Sequence, residues 1–301
     1  MNVTPGVRSS RLAGYAMVAV AASVWGTWKL FFAAAEARGP MPAAVEGVIL
    51  FAAIILVTGP LALIERAPRR ASRAAWIAVA VLGVADALNV ILFFRAYQLT
   101  SVAVAVLTHY LAPIFVALAA PIFVGERASL RTAAAVAISF TGLVCLLQPW
   151  TDGASASLAG AAAGAGSAVF YAAAVLINKR LTGAYSASEV SFFHSLFALP
   201  ILALAVPTDA WAQLDPGSVG IIVAGGIGPG ALAGLLFLAG LRRIPASHAS
   251  TLCLLEPMVA VALAATIHGE AIGAAAALGS LLILSGAALV VWYGPPPERA
   301  R

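Results

Sequence analysis

The chain has 301 residues, of which 62% are hydrophobic and 10% are charged, and its mean hydropathy is +1.00. A soluble domain carries about 25% charged residues, so this composition excludes a soluble globular protein and predicts an integral membrane protein. The formal net charge of +5 does not indicate a nucleic-acid-binding protein, because the basic residues are scattered singly and in pairs.

Ten apolar runs are long enough to cross a hydrocarbon core of about 30 Å, which takes about 20 helical residues. The predicted spans are residues 12–33, 43–64, 73–96, 101–123, 129–147, 158–178, 187–206, 216–240, 246–266 and 271–292. We predict an all-α integral membrane protein of ten transmembrane helices, with tails at residues 1–11 and 293–301. The first residues imitate a signal peptide, but the apolar run continues past Trp25, so we expect an uncleaved first helix.

Aromatic residues mark the first and sixth spans. Trp25 and Trp28 lie in the first, and Phe170 and Tyr171 lie in the sixth. If they face inward, they form an aromatic wall for an apolar or flat substrate. If they face lipid, they are ordinary membrane aromatics, and the sequence leaves both interpretations open.

Three spans carry an ionisable residue near mid-depth. The third has Asp86, with Asn89 one turn later on the same face, the fourth has His109, and the ninth has Glu256. A charged side chain at the bilayer centre costs about 2.5 to 3.5 kcal/mol on insertion scales, so we predict that these residues bind substrate. Tyr110 is a weaker candidate. The structural alternatives are interhelical hydrogen bonds and, for Glu256, a protonated carboxyl that satisfies a carbonyl group freed by the next residue, a proline.

Other polar residues are weaker candidates. His194 and His248 are placed nearer the cytoplasmic side. Cys145 and Cys253 fall inside predicted spans, so we expect packing roles, no disulfide, no metal site and no cofactor.

Charged residues near the span ends have two interpretations. Lys29, Glu46 and Arg95 are predicted to lie toward the outer side, where they could form a gate, although snorkelling is the plainer account of the two basic residues. Glu126 and Glu270 are predicted to cap helix ends at opposite interfaces.

Helix-breaking residues interrupt three spans. Pro113 lies in the fourth span, Pro257 in the ninth, and the sequence GGIGPG, with Gly228 and Pro229, in the eighth. Proline removes a backbone hydrogen bond and bends a helix. Interrupted segments at corresponding positions of two halves point to a transport site, so we predict kinks or gates here. Close packing of small residues is the alternative.

The chain contains an internal duplication with an offset of 144 residues. The matched residues are Pro113 with Pro257, Gly125-Glu126 with Gly269-Glu270, and Gly142 with Gly286. This predicts two repeats at 12–147 and 158–292, joined by a linker at 148–157. Each holds five helices, an odd number, so the second repeat is inverted relative to the first, around a central cavity. The polar candidates are not duplicated.

Basic residues predict the orientation. With the N-terminus inside, the cytoplasmic segments hold 14 of the 17 Lys and Arg residues, and Lys29, Arg38 and Arg95 remain outside. The positive-inside rule therefore predicts that both termini are cytoplasmic.

These motifs resemble the EamA-type family of the drug/metabolite transporter superfamily. The resemblance rests on SVWGTW at 23–28, on HYLAP and LLEP, which end at the matched prolines, and on the two Gly-Glu pairs. It covers nearly the whole chain. It implies ten helices around a cavity lined by helices one, three, four, six, eight and nine. Members of this family include amino-acid and metabolite exporters of the bacterial inner membrane.

We therefore predict an inner-membrane secondary transporter, not an enzyme, that exports a small polar metabolite such as an amino acid by alternating access. No ATP-binding motif is present, so energy would come from gradients, with Asp86 or Glu256 as proton carrier because burial favours the protonated carboxyl. The alternatives are a facilitative uniporter or channel and an intramembrane enzyme. The expected partners are the substrate, the bilayer and protons, with no nucleic acid, and the expected state is a monomer or weak homodimer.

Overall fold

The computed structural model describes residues 5–39, 41–65, 72–127, 129–151, 157–268 and 271–294, and these form ten helical spans. The unbroken spans are α3 (Ala43–Glu65), α4 (Arg73–Leu99), α7 (Leu130–Leu147), α8 (Leu158–Leu181), α9 (Ala187–Leu204) and α14 (Ala274–Tyr293). Large apolar side chains such as Ile122 and Leu204 remain 80% and 88% exposed, as expected of a surface that faces lipid. The predicted all-α fold of ten transmembrane helices is confirmed.

Four spans are interrupted. The first is divided into α1 (Pro5–Trp25) and α2 (Trp28–Glu36), the fourth into α5 (Val102–His109) and α6 (Ala112–Phe123), and the ninth into α12 (Ala246–Leu252) and α13 (Leu255–His268). In the eighth, a π-helix at Gly226–Leu232 separates α10 (Pro216–Gly225) from α11 (Ala233–Leu241). The matched spans four and nine break just before their matched prolines.

The helices differ slightly from the predicted boundaries. α1 begins at Pro5, before the predicted start of the first span at residue 12, because a helix can continue through polar residues beyond an apolar run. Parts of the predicted tails and linker, at 1–4, 152–156 and 295–301, lie outside the described residues, as does the second Gly-Glu pair at 269–270.

The fifth and tenth spans show the inversion of the repeats directly. A Cβ on Gly142 would lie 2.7 Å from the backbone oxygen of Gly279 and 2.9 Å from the nitrogen of Ile283. A Cβ on the matched Gly286 would lie 2.7 Å from the oxygen of Ala135 and 1.9 Å from Oγ of Ser139, and these are the counterparts of 279 and 283 in the first repeat. The residue numbers rise on one helix as they fall on the other, so the two spans are antiparallel.

The Gly-Glu pair at 125–126 joins the two repeats. We call the end of the bundle where α1 begins proximal and the opposite end distal. At the proximal end Gly125 has a left-handed φ of 69°, which favours glycine, and α6 ends there. Glu126 then accepts hydrogen bonds from the first backbone N–H groups of α12, at Ala246 and Ser247. The predicted capping role is seen for Glu126, whereas Glu270 lies outside the described residues.

Further polar contacts hold the proximal end together. Lys179 Nζ donates to the carbonyl oxygens of Leu241 and Ile244, each at 2.7 Å, and Arg242 donates to the carbonyl of Tyr185. The eighth span is thereby tied to the sixth and to the loop before the seventh.

Candidate functional site

A cavity of about 220 Å³ opens at mid-depth between the first, second, third and eighth spans. Its walls are formed by Trp25, Trp28, Leu50, Phe51, Ile54, Asp86, Asn89, Val90, Pro229 and Gly230. It thus includes four of the predicted binding residues and one predicted kink residue. The second span contributes although it was not expected to, and the fourth, sixth and ninth spans are not represented among these lining residues.

The two predicted tryptophans of the first span face inward. The Trp25 indole N–H donates to the carbonyl oxygen of Pro229 at 2.9 Å, inside the π-helix, and its ring lies 5.1 Å from that of Phe237. Trp28 stacks on Phe32 with ring centroids 5.4 Å apart. The break between α1 and α2 therefore turns two aromatic rings toward the eighth span.

The first and ninth spans approach each other closely at the break. A Cβ on Gly26 would lie 2.7 Å from the backbone oxygen of Glu256, so only glycine lets the first span contact the ninth at this depth. The SVWGTW sequence carries this signal, but the sequence analysis did not use it to predict an interruption.

Asp86 pairs with His194 at the floor of the cavity. His194 Nε2 lies 3.0 Å from Asp86 Oδ2, and both side chains are less than one-fifth exposed. His194 Nδ1 lies 2.8 Å from the carbonyl oxygen of Val190, which can only accept, so Nδ1 carries a hydrogen. The contact with Asp86 therefore requires one proton, held either by the carboxyl or by Nε2.

His194 is the partner of Asp86, and the sequence analysis ranked it as a weak candidate. The third and seventh spans approach so closely that a Cβ on Gly83 would lie 2.5 Å from the His194 carbonyl oxygen. Gly83 lies one turn before Asp86, and a small residue at that spacing was the available signal for a helix packed against this face.

A second cluster joins the fourth and sixth spans. The His109 ring stacks on Tyr171 with centroids 5.2 Å apart and an interplanar angle of 7°. Ser167 Oγ donates to the Gly164 carbonyl at 2.7 Å, so it accepts from Nδ1–H of His109 at 2.8 Å. His109 is 8% exposed. Here it is a hydrogen-bonded interior histidine and not a wall of the cavity.

The ninth span contacts the same cluster. The Tyr110 hydroxyl lies beside the Glu256 carboxyl, and the Tyr171 hydroxyl lies beside the Cys253 thiol, which itself donates to the Ala249 carbonyl at 3.3 Å. Tyr171 thus contacts His109 and Cys253, which occupy matched positions in the two repeats. Phe170 is partly buried on a different face of α8, and its ring is absent from the described aromatic contacts of this cluster.

The predicted charged gate does not form. Lys29 and Arg95 are exposed, and Arg95 donates to the side chain of Gln98 at 3.0 Å. Glu46 is buried, and its Oε1 has no hydrogen-bond partner. Counting residues from the ends of the spans predicted that these three side chains lie at a similar depth in the membrane. It could not show which face of each helix they occupy.

Two other features bear on what the protein can bind. A groove of about 620 Å³ between the second and seventh spans is lined mostly by apolar residues such as Leu56 and Leu63, which are 69% and 68% exposed and face outward. Among the described residues, no group of three or more His, Cys, Asp or Glu side chains could hold a metal ion.

Comparison with known proteins gives a family and several relatives. The model of the EamA-like transporter family matches residues 12–148 and 158–292. An uncharacterized transporter of Archaeoglobus fulgidus is 26% identical over 215 residues, which cover 70% of this chain and 74% of that protein. An uncharacterized transporter of Bacillus subtilis is 26% identical over 205 residues, which cover 67% and 66% of the two chains.

A riboflavin transporter of Rhizobium johnstonii is 38% identical over 110 residues, which cover 34% of this chain and 35% of that protein. A solved crystal structure has the same fold, with a TM-score of 0.78 and 23% identity, and the match covers 93% of this chain and 97% of that one.

Proposed function

Because the chain belongs to the EamA-like transporter family, we propose that it is a secondary transporter that moves a small metabolite by alternating access. The observation that carries this proposal is the mid-depth cavity, which lies between two interrupted spans, the first and the eighth, and two unbroken ones, and which is lined by Asp86, the partner of His194. Interrupted helices of inverted repeats that meet at a polar midplane site are typical of secondary transporters.

The substrate is a small polar metabolite, such as an amino acid or a related compound. The cavity of about 220 Å³ is smaller than the usual 300 to 1,000 Å³ of ligand pockets and so favours a small ligand. Trp25, Trp28 and Phe51 provide an apolar wall, while Asp86 and Asn89 provide acceptors for donor groups of the substrate.

A second candidate substrate is a flat heterocycle. The aromatic wall of Trp25 and Trp28 supports it, because flat rings stack favourably on aromatic side chains. One relative is named a riboflavin transporter, although the match covers 34% of this chain.

Transport is outward and is coupled to protons. The Asp86–His194 contact requires a single proton, and substrate that binds Asp86 competes for the same group. Glu256 is the less favourable carrier, because it lies beside Tyr110 of the fourth span and is not among the residues that line the cavity. Facilitated diffusion without proton movement is the alternative mechanism.

The test uses purified protein in proteoliposomes with a panel of amino acids, amines and heterocycles. We expect at least one to be transported and to be driven by a pH gradient. Asp86→Asn should abolish the pH-driven flux and retain substrate exchange, because the amide preserves shape but does not titrate. Glu256→Gln should retain both.

The matched control is Asp209→Asn, since Asp209 is exposed outside the spans. A full pH response in Asp86→Asn and in Glu256→Gln would show that neither carboxyl carries the proton. If the wild type transports no member of the panel, the substrate proposal is wrong.

A further inference from the structure

The first and eighth spans lie side by side, and both are interrupted at the depth of the cavity. Residues 26–27 separate α1 from α2, and the π-helix at Gly226–Leu232 separates α10 from α11. The Trp25 indole N–H donates to the Pro229 carbonyl oxygen at 2.9 Å, so a hydrogen bond links the two interruptions. The two spans therefore form an antiparallel pair with a joint at this depth.

On the distal side of the joint, polar contacts connect α2 with α10. The buried Ser218 hydroxyl donates to the carbonyl oxygen of Ala35, in the last turn of α2, at 2.9 Å. Just beyond the ends of the two helices, Arg38 Nε donates to Asp215 Oδ2 at 2.8 Å. Hydrogen bonds are directional, so these contacts fix the position of α2 relative to α10.

Trp28 connects this distal half of the pair with the cavity. Its side chain lines the cavity, and a Cβ on Gly225 of α10 would lie 2.9 Å from its ring. A movement of α2 and α10 relative to the other helices would therefore carry Trp28 with it and change the shape of the cavity.

The proximal half of the pair is held differently. A Cβ on Gly240 of α11 would lie 2.8 Å from the backbone oxygen of Gly14 of α1, so these two helices are in backbone contact. Lys179 of the sixth span donates to the carbonyl oxygens of Leu241 and Ile244 at the end of α11. The proximal half is thus fixed to the sixth span by hydrogen bonds.

The distal half contacts the second span through apolar side chains. Ala35 of α2 and Ile222 of α10 belong to one buried cluster with Val45 and Ile49 of α3. Hydrophobic contacts are non-directional, so helices that share them can shift relative to each other. The distal half therefore holds together more firmly than it holds to α3.

The symmetry-related pair of spans has no such joint. The inverted repeat relates the first and eighth spans to the sixth and third, and the helices of that pair, α8 and α4, pack together and run unbroken. At the offset of 144 residues, Gly26 corresponds to Phe170 and Pro229 to Ala85. Of the two pairs, the first and eighth spans are therefore the pair that can bend at the depth of the cavity.

We infer that α2 and α10 move as one unit about the Trp25–Pro229 joint, and that this unit is the gate on the distal side of the cavity. The inference rests on the proposed function and identifies its moving part. Hinges lie at the ends of elements, and π-helical turns are common at functional sites. Trp25 is a positioning residue, because its N–H holds the unit in the position seen here.

The expected movement is large enough to measure. With a rise of about 1.5 Å per residue, α2 is about 14 Å long, so a kink of about 20° would shift its far end by roughly 5 Å. Distances between spin labels on pairs of introduced cysteines report such a shift in the purified protein. The native cysteines lie within spans.

Three label pairs separate the gate from the rest of the bundle. Glu36→Cys with Gly220→Cys lies within the unit, and Gly220→Cys with Arg95→Cys joins the unit to the third span. Arg95→Cys with Leu158→Cys lies on the unbroken pair and is the control. Glu36 and Arg95 are exposed, a side chain at Gly220 would meet no atom within 4 Å, and Leu158 is 85% exposed.

Trp25→Phe keeps an aromatic ring but removes the N–H that holds the joint. We expect this variant to show a second distance between Gly220→Cys and Arg95→Cys, displaced by roughly 5 Å, while the other two pairs keep their wild-type distances. Trp28→Phe is the matched control and should keep the wild-type distance in all three pairs.

Four results would contradict the inference. A changed distance within the unit would show that α2 and α10 move separately, and a changed distance in the unbroken pair would show a general loosening. The second distance in Trp28→Phe as well would show that the N–H does not hold the joint. A lower melting temperature of Trp25→Phe with all three distances unchanged would show that the hydrogen bond serves stability alone.

A cross-link tests the role of the unit in transport. Arg38→Cys and Asp215→Cys, joined by a short bifunctional thiol reagent, should transport the same panel compounds as the wild type, because the two helices move together. Loss of transport on linking, with recovery on reduction, would show that α2 and α10 must separate. A wild type that transports no panel compound would refute the proposed function, whereas the spin-label distances would still decide whether the unit moves.

Discussion

At the distal end of the molecule an exposed ion pair joins the first span to the eighth. Arg38 Nε donates to Asp215 Oδ2 at 2.8 Å, and the Ser218 backbone N–H donates to the same oxygen at 2.8 Å. The hydrogen bond from Arg38, together with that from Ser218, holds the pKa of Asp215 below its usual value. Asp215 thereby caps α10 as a carboxylate and ties α2 to it.

This pair gives a prediction about acid stability. A carboxyl whose pKa is lower in the folded than in the unfolded protein stabilises the fold above the unfolded pKa, and the contribution is lost as the pH falls through the folded value. Arg38→Gln should raise the pKa of Asp215. The variant should therefore melt slightly lower than the wild type at pH 5 to 7, and the difference should vanish near pH 2 to 3.

Melting curves of both proteins in detergent, from pH 7 to pH 2, measure this. High salt should reduce the difference, because the pair is exposed and therefore screened. A difference that persists at pH 2 would mean that Arg38 acts by some contact other than the one with Asp215.

Single residues show where inference from sequence succeeds and fails. Asp86 was chosen as a candidate from its depth in an apolar span, because a charge is costly to bury in a membrane, and it lines the cavity. Its partner His194 was ranked low, because pairing depends on which faces of the third and seventh spans meet. Glu46 was assigned to a gate, because one-dimensional position gives depth but not the direction of a side chain.

At the scale of elements, the fifth and tenth spans pack so closely that any side chain larger than that of Gly286 is expected to lower the stability of the protein. An added Cβ would lie 2.7 Å from the Ala135 backbone oxygen, which cannot move without separating the helices. Gly286→Ala should therefore destabilise the protein by about 1 to 3 kcal/mol, the usual cost of overpacking. Thermal unfolding in detergent measures the loss.

Gly234 provides the control for this substitution. It lies within α11, and a Cβ there would meet no atom within 4 Å. Gly234→Ala should leave the melting temperature unchanged or raise it, since alanine favours a helix by about 1 kcal/mol over glycine. Equal melting temperatures for the two variants would mean that the close approach at Gly286 relaxes without cost.

The interruptions of the spans were predictable where proline causes them. In the fourth and ninth spans the break precedes the proline, because its ring cannot follow a regular helical turn. In the eighth span Pro229 lies in a π-helix instead, and its carbonyl oxygen accepts a hydrogen bond from the Trp25 indole N–H. Trp25 is about two hundred positions away, so the local sequence does not reveal this contact.

At the scale of the whole molecule, the orientation is open to a direct test. Thr182-Gly183 lies at the proximal end and Asp209 at the distal end. If the termini are cytoplasmic, Gly183→Cys should react with a membrane-impermeant maleimide only after cell lysis, and Asp209→Cys should react in intact cells. The native cysteines lie within spans and give a low background. The reverse labelling pattern would invert the assigned topology.

The overall architecture was largely predictable, because ten apolar runs and an odd number of helices per repeat determine the span count and the inversion. The position of the cavity was not. It lies between the first, second, third and eighth spans, whereas the polar candidates of the fourth, sixth and ninth spans contact one another elsewhere in the bundle. Depth along each span can be counted, but contacts between spans depend on three-dimensional packing.

The glycine contacts of the fifth and tenth spans are also self-complementary. Gly142 touches the counterparts of the residues that Gly286 touches, which is the property of an isologous dimer interface. A half-length chain would form this contact with a second copy inserted in the opposite direction, and each sequence position would then serve both orientations. Joining the halves in one chain removes that constraint. One half can keep a histidine at position 109 while the other carries a cysteine at 253, so fusion itself permits a site of lower symmetry than the scaffold that holds it.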